Sequence, residues 1–221
     1  APPHASGLVD VTVTNPDAQS DTLADAFTYS GTPDLQITDL PSSQSNPTVI
    51  TTSDGHYLIA WRDQRNSGVS GTDIYAQKID SSTGDILWTS YIDGREITGA
   101  PNSQPYAMQF LKVVADGSGG AFLVWDTNTS FSNYDIYVHH IDSDGAGYAN
   151  WTSGGYPGIN VSGSNTNHDT YPDILYDGSG GVYVSWTAYL GSWPNYDVIV
   201  THLDGTTALP TDEWPVTIRS E

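Results

Sequence analysis

The chain has 221 residues, 37% of them apolar and 11% aromatic, which is enough for one good core or two small ones and incompatible with disorder. Its 26 acids against 6 Lys and Arg give a formal charge of −20, which repels nucleic acid and anionic lipid and removes both as partners. There is no Cys, so disulfides and Cys-held metals are excluded, and no apolar run approaches the roughly 20 residues that cross a bilayer. Abundant Ser, Thr, Asn, Gly and Tyr with few Lys lead us to expect a bacterial exported protein, secreted or at the cell surface, and the opening Ala1 a processed product or fragment.

In chain order, residues 8–13 (Leu-Val-Asp-Val-Thr-Val) and 22–29 (Thr-Leu-Ala-Asp-Ala-Phe-Thr-Tyr) alternate as strands do. With the turn Asn15-Pro-Asp-Ala-Gln-Ser20 between them they predict a hairpin. This segment resembles the closing hairpin of IPT/TIG immunoglobulin-like domains, on Gly7, Val9 to Asp17, Gln19, Ser20 and Ala26 to Tyr29, with Ala18 where that family usually has Gly. The resemblance implies that residues 1–30 are the C-terminal part of a truncated domain of that kind. Residues 31–46, with two prolines and a polar cluster, read as a linker carrying one short strand at 35–38.

From Pro47 onward the chain repeats itself. Asp116-Gly-Ser-Gly-Gly-Ala-Phe-Leu-Val-Trp125 returns as Asp177-Gly-Ser-Gly-Gly-Val-Tyr-Val-Ser-Trp186 and, more loosely, as Asp54-Gly-His-Tyr-Leu-Ile-Ala-Trp61. A second block begins at Asp73, Asp135 and Asp197, at spacings of 62 (135 − 73 and 197 − 135), and a third mark is Trp88, Trp151 and Trp214. Three units result, at about 47–104, 105–170 and 171–221. Each divides into strand A before the Asp-Gly turn (47–52, 107–115, 172–176), strand B ending on the Trp (56–61, 121–125, 182–186), strand C on the second block, and a weaker strand D after the third mark. Strands B and C are apolar on both faces, so they belong inside stacked sheets, and no segment has a helical period. The predicted fold is all-β: three propeller-blade-like antiparallel sheets after an immunoglobulin-like hairpin.

The block D-G-x-G-G-x-x-x-x-W followed by D-I-Y-x-Q-x-x-D resembles the repeats of large bacterial secreted or surface proteins of β-propeller type. The likeness runs from about residue 47 to the end, with His56-Tyr57 replacing Gly-Gly in the first copy, and with an Asp followed closely by an Arg after the Trp, Asp63-Gln-Arg65, in the first copy alone. Propellers typically have about four to eight blades. Three leave sheet faces open, so the chain is expected to be a homo-oligomer or part of a longer polypeptide.

Repetition separates scaffold from site, because a catalytic group is needed once. Asp54, Asp116 and Asp177 are therefore assigned to the A–B turn, and Asp73, Asp135, Asp197 with Asp80, Asp142, Asp204 to the ends of strand C. The Asp-Gly-Ser-Gly-Gly runs lack the Gly-Lys-Ser/Thr ending of a phosphate loop. Asp142-Ser-Asp144-Gly145 matches the opening of a calcium loop, but Ser153 stands where its bidentate Glu belongs. No cofactor is expected, with Ca2+ left open for want of a complete motif. His140 and His202 share one repeat position with Lys78, and with His139 could meet a zinc ion only if diverging strands converged, which disfavours a zinc site.

The B–C loops are what differ between copies. Phe131, Tyr134, Tyr189, Trp193 and Tyr196 are expected to gather on one rim amid Asn and Ser, a surface suited to sugar rings. The reading is a non-catalytic extracellular surface or adhesion module, binding polysaccharide or glycan through those rings. The alternatives are a fragment of a secreted propeller-type polysaccharide hydrolase or lyase, with its acids among Asp63, Glu96 and Asp126, and a structural array element with no ligand.

Overall fold

The computed structural model of the chain describes residues 7–14, 20–29, 35–68, 71–98, 110–130, 133–153, 156–163, 168–189, 195–211 and 216–218. The chain divides into two compact units, 1–36 and 37–221. In the first, β1 (Gly7–Thr14) and β2 (Ser20–Tyr29) pair antiparallel from Gly7 with Tyr29 to Thr14 with Ser20, with an irregularity between Val9 and Val11. The predicted hairpin forms. The short strand expected at 35–38 does not: this tetrapeptide alternates, but Leu35 is exposed and its backbone joins no ladder.

Strand pairing in the second unit begins at Gln44, inside the stretch expected as linker. The first sheet contains β3 (Gln44–Thr51), β4 (Tyr57–Asp63), β5 (Asp73–Ile79) and β6 (Arg95–Glu96). The second contains β7 (Leu111–Ala115), β8 (Ala121–Ser130) and β9 (Asn133–Ile141). After the two-residue pair β10 (Thr152–Ser153) and β11 (Tyr156–Pro157), β12 (Ile159–Asn160) completes it. The third contains β13 (His168–Tyr176), β14 (Val182–Tyr189), β15 (Tyr196–Leu203) and β16 (Val216–Ile218). Every sheet is an antiparallel meander with its strands in chain order. The fold is all-β and propeller-like, with three blade-like sheets.

Prolines explain an irregularity in two of the first strands. Pro47 and Pro172 have no N–H to give a ladder, and at both points the register slips, between Ser45 and Thr48 in β3 and between Thr170 and Asp173 in β13. The residue before each proline, Asn46 and Tyr171, has positive φ, at 52° and 57°.

The core lies between sheets. Leu58, Ala60, Ile74 and Ala76 of the first sheet pack on Ala121, Leu123 and Trp125 of the second. The opposite face of the second sheet, Phe122, Val124, Ile136 and Val138, packs on Val182, Val184 and Trp186 of the third. Only the second sheet has a neighbouring sheet on each side and contributes to both clusters. Trp61, Trp125 and Trp186 are all buried at equivalent places. Gly158 follows from this: it has φ 92°, and a Cβ there would stand 2.6 Å from the Trp125 ring.

Two polar devices recur. The turn aspartate ties strand C to the A–B turn: Asp54 pairs with Lys78 at 2.5 Å, Asp116 with His140 at 3.0 Å and Asp177 with His202 at 2.8 Å. The other joins consecutive sheets. Trp88 Nε1 donates to the Ser143 carbonyl and Trp151 Nε1 to the Gly205 carbonyl, each at 3.0 Å, so the third-mark tryptophan of one repeat holds the C–D turn of the next. Arg95 and Asn150 add side-chain donors to the Asp144 and Thr206 carbonyls, each at 2.8 Å.

Candidate ligand-binding site

The meander sets the B–C loops at one end of the sheets and the A–B and C–D turns at the other. At the loop end, Tyr134, the second residue of β9, stacks on His168, the first residue of β13, with ring centres 4.7 Å apart and planes 14° from parallel. His168 lies across the ladder from Tyr189, and Tyr189 from Tyr196, whose rings are 5.3 Å apart. Four rings therefore run from the second sheet onto the third. Tyr196 is the outermost, 44% exposed. One residue further along the same strands stand the buried acids Asp135, Asp169 and Asp197, and β8 adds buried Asp126, Thr127 and Asn128.

Of the five aromatics expected on this rim, Tyr134, Tyr189 and Tyr196 are thus brought together, while Phe131 and Trp193 lie outside the described residues. His168 is a member that sequence reasoning missed. It precedes strand A in a stretch that does not repeat, so nothing in the pattern marked it.

Of the acids weighed for hydrolysis, Asp63 and Glu96 are linked through Arg65, whose guanidinium lies 3.7 Å over the Tyr75 ring, while Asp126 stands on β8 of the next sheet. Asp63 is buried and accepts hydrogen bonds from Trp61 Nε1 at 3.0 Å, the Arg65 backbone N–H at 2.8 Å and the Arg65 guanidinium at 2.6 Å. Burial pushes its carboxyl up, but these donors outweigh burial and hold it below the usual range. Glu96 accepts from the Tyr75 hydroxyl at 3.0 Å, and Asp126 from the Phe110 backbone N–H at 2.8 Å.

The opposite end carries a cleft of about 710 Å³ between the second and third sheets, lined by the two Asp-Gly-Ser-Gly-Gly turns with Tyr148, Asn150 and Tyr176. At its floor Asp116 accepts from Ser118 Oγ at 2.6 Å and from the Ser118 and Gly120 backbone N–H groups. Burial pushes the Asp116 carboxyl up, and the hydrogen bonds from His140 and Ser118 more than reverse this, leaving it at about 2. His140, weighed as a metal ligand, is sandwiched between Phe122 and Tyr148, with ring centres 3.9 and 4.2 Å away, and bonds through Nε2 to Asp116. His139 faces the other way, its Nδ1 2.8 Å from the Trp151 carbonyl. Among the described residues no group of three or more His or acids is arranged to hold a metal.

Comparison with models of known protein families finds no match. Comparison with curated proteins finds none either. Among solved structures, the chain is similar to the endo-arabinase from Bacteroides thetaiotaomicron, at 11% identity over 86% of this chain and 68% of that one, with a TM-score of 0.41. It is similar to a thermostable family-43 glycoside hydrolase, at 12% identity over 95% and 72%, with a TM-score of 0.45. For the alpha-L-arabinofuranosidase from Lactobacillus brevis the identity is 12% over 90% and 61%, and the TM-score 0.38. At these values no residue of this chain takes a role from them.

Proposed function

We propose that the chain is a non-catalytic carbohydrate-binding module that takes a neutral glycan along Tyr134, His168, Tyr189 and Tyr196. The supporting observation is the run of four rings across two sheets, open at Tyr196. Sugar C–H faces stack on aromatic rings while their hydroxyls need nearby amides and hydroxyls, which the Asn-rich and Ser-rich B–C loops carry in their sequence. A charge of −20 favours a neutral glycan over an anionic one. Phe131 and Trp193 belong to the proposed surface by their places in the same loops. An extracellular setting, secreted or at a cell surface, fits such a ligand.

The alternative is a fragment of a carbohydrate hydrolase, the class to which the three solved structures belong by name. It requires two carboxylates roughly 5–9.5 Å apart across the scissile bond. One set of measurements separates the readings. The wild type is expected to be retained on a polysaccharide array, with retention lost in Tyr196→Ala and Trp193→Ala at an unchanged melting temperature and kept in Tyr148→Ala, which touches the opposite end. Unaltered retention in both rim variants, or no retention of the wild type, removes the binding reading. Release of reducing ends from arabinan, lost in Asp126→Asn with the fold intact, transfers the chain to the hydrolase class.

A further inference from the structure

Among the described residues the second sheet is covered on both faces, the first and third on one each, and the repeats make the uncovered faces comparable residue by residue. On the third sheet, Leu175, Tyr183, Val198 and Val200 stand where the second has Val114, Phe122, Ile136 and Val138. In the second sheet Phe122, Ile136 and Val138 are fully buried beneath the third, and Val114 packs beside them. In the third, Leu175 is 64% and Val198 47% exposed. The first sheet shows the reverse. Val49 and Tyr57 stand where the second has Val113 and Ala121 and the third Ile174 and Val182, which pack on the preceding sheet, yet Val49 is 64% and Tyr57 39% exposed.

The chain therefore makes one kind of contact twice, tail face of one sheet to head face of the next, and keeps one unused half of each kind. Exposed apolar side chains side by side on one sheet face mark an interaction site. The first sheet's C–D turn at Asp80 is also exposed; its equivalents in the next two sheets accept the Trp88 and Trp151 donors. We infer that the open face of the third sheet docks on the open face of the first sheet in a second copy of this chain. The contact is head to tail, so it either closes or grows. Two copies that close bring six sheets together, inside the range of about four to eight typical of propeller rings. This inference does not rest on the carbohydrate reading, although Tyr196 lies on the same face as Val198, at its loop end, and its test uses no ligand.

Sedimentation of the full chain at micromolar concentration is expected to give twice the chain mass of 23.7 kDa. Val198→Glu on the tail face and Val49→Glu on the head face should each weaken dimerisation by roughly 100-fold or more, because each buries a charge in the contact. Both side chains are exposed within one copy, so the melting temperature of the monomer and the circular dichroism should be unchanged. Leu175→Lys and Tyr57→Lys repeat the test with the opposite charge should either glutamate variant misfold. An equimolar mixture of one head and one tail variant should regain a dimer weaker than the wild type, since one contact of the two remains intact. A wild-type monomer overturns the inference and leaves these faces to a repeat from another polypeptide. So does a dimer that survives all four variants, or one that only the variants of one face disrupt, which means a symmetric contact instead.

Discussion

His139 illustrates how one buried side chain couples this fold to pH. It occupies the position held by Gln77 in the first sheet, and both reach the same kind of acceptor: Gln77 Nε2 donates to the Tyr91 carbonyl at 2.6 Å, as His139 Nδ1 does to that of Trp151. Burial drives the imidazole from 6.5 down to about 4, a hydrogen bond to the Trp151 carbonyl opposes this, and the neighbouring His140 adds to it. The folded state therefore holds the neutral ring. The associated stability is complete above pH 6.5 and is lost as pH falls toward about 4, amounting to as much as about 3 kcal/mol. Urea denaturation at pH 7 and pH 4.5 should show this loss in the wild type and a smaller one in His139→Gln. Equal losses in the two proteins would place the acid sensitivity elsewhere.

At the level of strands and turns, the third-mark tryptophans can be tested as a pair. Trp88→Phe and Trp151→Phe keep a ring in the core but remove the donor to the next repeat's turn carbonyl, and each should cost about 1–2 kcal/mol in chemical denaturation. A difference between them above about 1 kcal/mol would mean the two junctions are not equivalent. The tryptophan itself was legible because it repeats. Its partner was not, since a backbone carbonyl has no letter in the sequence. The turn aspartates were likewise legible as turn residues, but their partner on strand C changes between Lys78, His140 and His202 and lies about two dozen residues away. A partner that changes between Lys and His reads in the sequence as a stray ligand, and only the pairing shows it to be one device. The strand expected at 35–38 failed for the opposite reason: its pattern was local, and pairing is not. His168 joined the ring strip through the meander, which no alternation of letters could announce.

For the molecule as a whole, the formal charge of −20 sets its response to salt. Like charges spread over the surface repel, and ionic strength near 0.1 M screens them beyond about 10 Å. The melting temperature by calorimetry should rise on going from low salt to this range, and self-association should strengthen with it. A fall would mean that the close pairs Lys78–Asp54 and Arg65–Asp63 contribute more than the general repulsion takes away. Small variants at the open sheet faces should leave this response in place, because they change the charge by one among many.

Among the described residues both third-mark tryptophan donors, Trp88 and Trp151, point from an earlier repeat to a later one, and this gives the chain a direction in time. Trp88 must wait for Ser143, 55 residues further on. At a synthesis rate of about 5–20 residues per second, roughly 3–11 seconds pass on the ribosome before the partner is made. During that interval Leu58, Ala60 and Ile74 have no second sheet to cover them, and a nascent-chain holdase has a surface to grip. The apolar face of the first repeat therefore has its cover only once the second repeat has been made.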